Sequence, residues 1–284
     1  MEPLFSAVIC GCNSGFYREA LHEVYIPRIQ RGDSFFAANV LGARGALLLV
    51  LAHFFENRRW GSLVETAVEW QGLSAEDRLF ILMQAGLYLT AMRGLASPEA
   101  EICYERAEPL CHSLGDARLL YVALVAQWRY KVVTELSAAM QIAERVHSLA
   151  QEKKESVPLI GACRALAGTF FFLGDFEEAR KHAVRGVEIW RSGGAPSYAE
   201  FLDAPTVVCL CYEALSKWHF GEKASCQAAI TEAISLAREL NDMGGLAAAL
   251  NFAAIIAHYD WDTTDVERLA SELIELTVRH SFPY

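Results

Sequence analysis

The stretch running from Leu166 to Ala179 limits the fold more than any other part of the chain: Leu-Ala-Gly-Thr-Phe-Phe-Phe-Leu-Gly-Asp-Phe-Glu-Glu-Ala. An apolar helical run stops at Gly174. An aromatic residue and then Ala179 follow, and a second amphipathic run carries Ala183 and Val187 on its inner side. The glycine suits a tight turn, and the alanine lets two antiparallel helices approach closely. Gly15-Phe16-Tyr17-Arg18-Glu19-Ala20 repeats the device. With that close-contact residue as the anchor, equivalents fall at Ala20, Ser62, Ala100, Ala139, Ala179, Cys226 and Val266, a spacing of about 40 residues. One such hairpin cannot bury its apolar face alone, so a chain that repeats it has to stack the copies.

The Gly-x-aromatic-x-x-Ala device fits the tetratricopeptide (TPR) pattern. The expected fold is therefore all-α: a TPR-like α-α superhelix, or solenoid, of about seven hairpins in a single domain over residues 1–284. A period above the roughly 34 residues of the ordinary repeat calls for longer helices. The Ser62, Ala139 and Val266 copies lack the glycine and are placed by spacing and helical phase. The wider step between Ala179 and Cys226 contains Arg191-Ser192-Gly193-Gly194-Ala195-Pro196-Ser197, which predicts a loop insertion. Ser97-Pro98 and Ser156-Val157-Pro158 read as helix starts, and Leu119 to Val133, Leu159 to Leu173 and Gly245 to His258 as amphipathic helices. Pro27 and Pro109 fall inside expected second helices, where each should kink or shorten its helix.

Composition narrows the function. With 35 Asp and Glu against 25 Lys and Arg the net charge is -10, which repels phosphate backbones and argues against direct contact with nucleic acid. The apolar run Ala46 to Phe55 is too short for a bilayer, which needs about 20 residues, and reads as a buried helix, so no membrane partner is expected. The N-terminus Met1-Glu2-Pro3-Leu4 has no basic region of a secretory signal, which favours a reducing cytoplasm. The eight cysteines lie in helical patterns without a CxxC and are expected as free thiols, buried and not metal-bound.

Gly94-Leu95-Ala96-Ser97-Pro98-Glu99-Ala100, Tyr104-Glu105-Arg106-Ala107 and Leu114-Gly115-Asp116 resemble blocks in the TPR region of large bacterial signalling proteins. In these a STAND-type regulatory ATPase precedes the repeats, as in MalT-like transcriptional regulators and ATPase-linked adenylyl cyclases. Gln127-Trp128-Arg129-Tyr130, Phe172-Leu173-Gly174-Asp175-Phe176 and Leu250-Asn251-Phe252-Ala253-Ala254 are similar to further blocks, so the resemblance spans residues 80–284. It implies a sensor or protein-binding arm whose nucleotide hydrolysis and output belong to other domains. No GxxxxGK[ST] phosphate loop occurs in the chain. The C-terminus Ser281-Phe282-Pro283-Tyr284 stops where another first helix would begin, so the chain is expected to be a fragment with Leu269, Leu273 and Leu276 on an uncovered face.

No catalytic residue, metal site or cofactor is assigned. Asp260-Trp261-Asp262-Thr263-Thr264-Asp265 lacks the glycine and closing glutamate of a calcium loop and reads as a capped helix start. Gly11-Cys12-Asn13-Ser14-Gly15 holds its serine one place too late for a nucleophile elbow. Eight scattered histidines show no HExxH. The expected function is that of a non-enzymatic protein-protein interaction scaffold or sensor arm with a concave groove lined by first helices. Helical phase assigns Tyr121, Trp128, Arg164, Phe171, Trp218, His219, Asn251 and Tyr259 to that groove, with Arg44, Phe54 and His258 beside them. Arg164 is expected to face solvent there and to meet an acidic peptide or an anionic, inducer-like small ligand. A self-association module, giving a homo-oligomer, and a helical-repeat enzyme with an unrecognised site are the alternatives.

Overall fold

A computed structural model describes residues 1–32, 35–39, 41–55, 58–60, 72–153, 155–194 and 204–280. The described residues are helical, with no strand among them. Ser62, and the insertion beyond Gly194, lie outside them. The chain divides into two units, Met1–Tyr130 and Lys131–Tyr284.

The first unit opens with α1 (Glu2–Asn13) and α2 (Tyr17–Glu19), which runs into a wide π-helical segment, Ala20–Gln30. Pro27 lies inside that segment. The expected disturbance thus takes the form of a widened helix, in which the missing N–H falls outside an i to i−4 ladder. α3 (Phe36–Asn39), α4 (Arg44–Leu51), α5 (Ala75–Arg93), α6 (Pro98–Leu114) and most of α7 (Ala117–Thr134) follow. Apart from Leu49, the α4 run is largely buried. A buried polar chain ties the π-helical segment to α5: Gln30 Nε2 donates to Tyr25 and Tyr88 hydroxyls at 3.1 and 2.9 Å, and Tyr88 donates to Gln84 at 2.6 Å. Ser97 caps α6 by accepting from the Ala100 N–H, as its Ser-Pro start predicts, and α6 continues through Pro109. α5 and α6 close together because Gly86 has no side chain: a Cβ there would lie 2.7 Å from the Tyr104 ring.

The second unit is a run of antiparallel hairpins. α8 (Leu136–Lys153) leads to α9/α10 (Ser156–Leu173 and Phe176–Ile189), α11/α12 (Pro205–His219 and Lys223–Glu239) and α13/α14 (Met243–Tyr259 and Thr263–His280). The first helices α9, α11 and α13 pack side by side, and each second helix packs against the first helix that follows it. The expected helices over residues 119–133, 159–173 and 245–258 therefore all form. The core of the second unit runs through Ile160, Val207, Leu210, Leu215, Ile230, Leu246 and Leu250. Burying a side chain of this size contributes about 1.5 to 3 kcal/mol.

The anchors land in phase. Ala20, Ala139, Ala179, Cys226 and Val266 are each the fourth residue of the helix begun after the turn, and Ala100 is the third. All are buried except Val266, which is partly buried. At Gly186 an added Cβ would sit 2.7 Å from Cys209 Sγ, so α10 lies against α9 and α11 at a distance that only small residues permit. The eight thiols are free and seven are buried. Desolvation pushes the Cys163 and Cys226 thiols up to about 11, far from the thiolate form.

Each hairpin turn of the second unit closes with the same pair of backbone bonds. Gly174, Gly221 and Trp261 donate to the carbonyls three residues back at 3.0, 2.9 and 3.1 Å. Asp175, Glu222 and Asp262 donate to those five back at 3.0, 3.0 and 2.9 Å. Asp175 and Asp262 then cap α10 and α14, accepting from Glu178 and Asp265 N–H groups. The acidic run around Trp261 is thus a capped helix start. Surface ion pairs join successive hairpins: Arg180 of α10 to Glu222 just before α12, Arg191 just beyond α10 to Glu232 of α12, and Arg238 of α12 to Glu272 of α14. Each is worth about 1 kcal/mol or less.

The Ala46 to Phe55 run is, as expected, a short and largely buried helical stretch. Among the described residues α9 is the one helix long and apolar enough to span a membrane by composition, and it is packed among α8, α10 and α11. The expected uncovered leucine face needs correction. On α14, Leu269 and Leu276 are buried and Leu273 partly so, because they face α13; the exposed apolar residues are Ile274 and Val278, at 62% and 75%. If the anchor seam holds the hairpins together, Ala179→Leu should destabilise the protein by about 1 to 3 kcal/mol through overpacking. Val266→Leu, at the partly buried copy, should leave the thermal midpoint nearly unchanged.

Candidate interaction surface

The residues assigned to a groove by phase separate into two groups. Tyr121 and Trp128, in the first unit, are buried, as is Phe54, while Arg44 is partly buried. Arg164 is only 2% exposed, so its expected solvent-facing position is wrong. The reason is local: residues 160–169 of α9 are buried without a break, since Gly161, Ala162, Ala165, Ala167 and Gly168 let neighbouring helices close over the whole circumference. Asn251 is partly buried on α13.

Phe171, Trp218, His219 and Tyr259 do meet, together with rings not singled out by phase. They come from the C-terminal ends of the first helices and the turns that follow, one hairpin contributing to the next. Phe171 lies 5.8 Å from Tyr212 and 5.7 Å from His219. Phe176, the aromatic of the Gly-x-aromatic device, stacks flat on His219 at 3.7 Å and 6°. Trp218 lies 5.2 Å from His219 at 88° and 4.7 Å from Tyr259 at 44°, and Tyr212 meets Phe252 edge-on at 5.2 Å. His258 lies 6.2 Å from Tyr259 and 6.4 Å from Trp261. The outer members are open to solvent: Phe172, Leu173, Phe220, Tyr259 and Trp261 are all exposed large apolar residues. The result is a continuous aromatic rim at the hairpin tips, half packed and half exposed.

Charges border the rim in pairs. The Trp218 indole N–H donates to Asp260 Oδ1 at 3.2 Å, and Lys223 Nζ donates to the same oxygen at 2.7 Å. The lysine hydrogen bond, followed by the indole one, holds the Asp260 carboxyl below its usual range. Arg180 sits 4.8 Å from the Phe220 ring centre and pairs with Glu177 and Glu222. Desolvation lowers the His219 pKa, which favours the neutral ring at pH 7. Carboxylates and cations thus lie in pairs along the edge of this surface, and its centre is made of rings.

A second concavity, a cleft of about 270 Å³, lies between α12 and α14 over α13. Its floor is Ile230, Leu250, Ala253, Ile256 and Leu269, and its edges carry Arg238, Arg268, Asp265 and Glu272. Arg238 is paired with Glu272 and Arg268 with Asp265 across and along those edges. Among the described residues no three His, Cys, Asp or Glu side chains gather as metal ligands.

The family model for anaphase-promoting complex subunit 5 matches residues 206–259, the span from α11 to the end of α13. It covers well under half of the chain and includes Trp218, His219 and Tyr259. The segment is a TPR-like helical repeat. No curated protein matches the chain. The helix packing and the family match agree on the repeat architecture, and neither speaks to a bacterial ATPase-linked parent. Arg164 provides a check on the placement described above. Its side chain is buried in the middle of α9, so Arg164→Ala should lower stability by about 2 to 5 kcal/mol, read from denaturant unfolding, and not leave the fold untouched.

Proposed function

We propose that the chain is a non-enzymatic protein-interaction scaffold whose contact surface is the aromatic rim at the tips of α9/α10, α11/α12 and α13/α14. The supporting observation is Trp261. In the two preceding hairpins the left-handed turn position is Gly174, with φ of 83°, and Gly221, with φ of 76°; in the last it is Trp261, with φ of 59°. A residue with a side chain pays roughly 1 to 2 kcal/mol in this conformation. The indole recovers little by packing, since it is 88% exposed. A tryptophan strained and solvated at once has no structural purpose, and tryptophan is the residue type most enriched at interface hot spots.

The narrower reading, a sensor arm of a STAND-type signalling regulator in the bacterial cytoplasm, rests on the blocks around Gly94, Gln127, Phe172 and Leu250 alone. The length of the rim supports a protein segment as partner in preference to a small inducer-like ligand, because the rings are strung over three hairpins. Self-association is the second reading, favoured by the exposed Ile274 and Val278 one turn apart on α14.

Trp261→Gly separates stability from function. Peptides selected from a random displayed library on the parent protein should lose about 30-fold or more in affinity for the variant. Its thermal midpoint should stay level or rise, because relief of the left-handed strain offsets the roughly 0.5 to 1 kcal/mol entropic cost of glycine. Undiminished affinity would rule out the rim as the contact surface, and loss of binding in Ile274→Lys instead would move it to the outer face of α14.

A further inference from the structure

We propose that Trp218, His219, Tyr259 and Asp260 form a corner of this rim that takes a cationic side chain, an arginine guanidinium or a lysine ammonium, from the partner segment. The inference rests on the rim being the contact surface and adds the chemistry of its occupant.

Four observations carry it. The first is the arrangement of rings: Trp218, His219 and Tyr259 are inclined to one another at 88°, 63° and 44°, with centroids 4.7 to 6.1 Å apart. Inclined rings leave faces turned outward, and Tyr259 keeps 37% of its surface open. Electron-rich faces attract cations, and tryptophan does so most strongly. The second is a carboxylate already aimed at the same place, since the Trp218 indole N–H fixes Asp260. An anion beside π faces is the donor set that suits a guanidinium or an ammonium.

The third observation is that the corner already holds a cation. Lys223 Nζ lies 2.7 Å from Asp260 Oδ1, yet its side chain is 71% exposed. An exposed lysine tethered by one ion pair is displaced at small cost, so Lys223 acts as an internal stand-in for the ligand's charge. The fourth is charge balance. The cations along the rim are committed, Arg180 to Glu177 and Glu222 and Lys223 to Asp260. With Arg164 buried, the rim offers an anionic ligand little, while the net charge of -10 draws a basic segment toward it.

The test uses the full chain and capped amino acids. The Trp218 indole resonance is assigned by its loss in Trp218→Phe and followed by heteronuclear NMR during titration with acetyl-arginine amide, its neutral isostere acetyl-citrulline amide, and acetyl-glutamate amide. The arginine compound should shift the resonance saturably, and the other two should not. Lys223→Gln, which removes the internal competitor at an exposed site, should tighten arginine binding by about 3- to 10-fold, and Asp260→Asn should weaken it by about 10-fold. Equal responses to arginine and citrulline, or weaker binding in Lys223→Gln, overturns the proposal. If that happens while Trp261→Gly still abolishes peptide binding, the corner fails and the rim stands. If arginine titrates as expected while peptide affinity ignores Trp261, the rim reading fails and takes with it the corner's role in partner recognition.

Discussion

Everything in the second unit depends on how closely the two helices of a hairpin approach at a small residue in the first turn of the second helix. Ala179 and Cys226 are buried there, and Gly186 carries the close packing of α10 on to the next hairpin, where even a methyl group would collide with Cys209 of α11. Close packing without voids leaves no slack for a larger group, and that fixes the separation of the helices. Once it is fixed, the first helices α9, α11 and α13 lie side by side and their C-terminal ends arrive together. The aromatic rim is a consequence of that arrival. Phe171, Trp218 and Tyr259 belong to three different helices and share one surface because the seam repeats.

The turns supply the second half of the arrangement. The same two backbone bonds close each one, which forces the residue five before the anchor into a left-handed conformation. Glycine fills that place in two hairpins at little cost. In the third, Trp261 fills it at a cost in backbone strain and stands out into solvent. With Trp261 as the proposed contact residue, stability and recognition would be set against each other at one position. Next to it, Asp260 and Lys223 add charge to a surface otherwise made of rings.

The repeat was legible in the sequence because its two determinants, a small residue and a helix stop at a fixed offset before it, are local and periodic. Helix spans, capped starts and anchor phase follow from that periodicity, even for the glycine-free copies at Ala139 and Val266. Depth was not legible. A period of 3.6 assigns Arg164 to a face but cannot say that another helix covers that face, and the small residues around it that permit the covering also look like ordinary helix formers. The pairing of Phe176 with His219 spans two hairpins, so no local pattern announces it. Trp261 did leave a signal. It lies five residues before its anchor, where Gly15, Gly174 and Gly221 stand in other copies, so the exchange of glycine for tryptophan was visible once the turn geometry gave it meaning.

Aromatic-selective nuclear Overhauser measurements on the full chain test most directly whether the seam brings rings from three hairpins into contact. Cross-peaks are expected between Phe176 and His219, between Trp218 and Tyr259, and between Phe171 and Tyr212, with ring-current shifts on the His219 protons from the stacked phenyl. Solvent-like shifts for these rings and no cross-peaks between residues of different hairpins would contradict it.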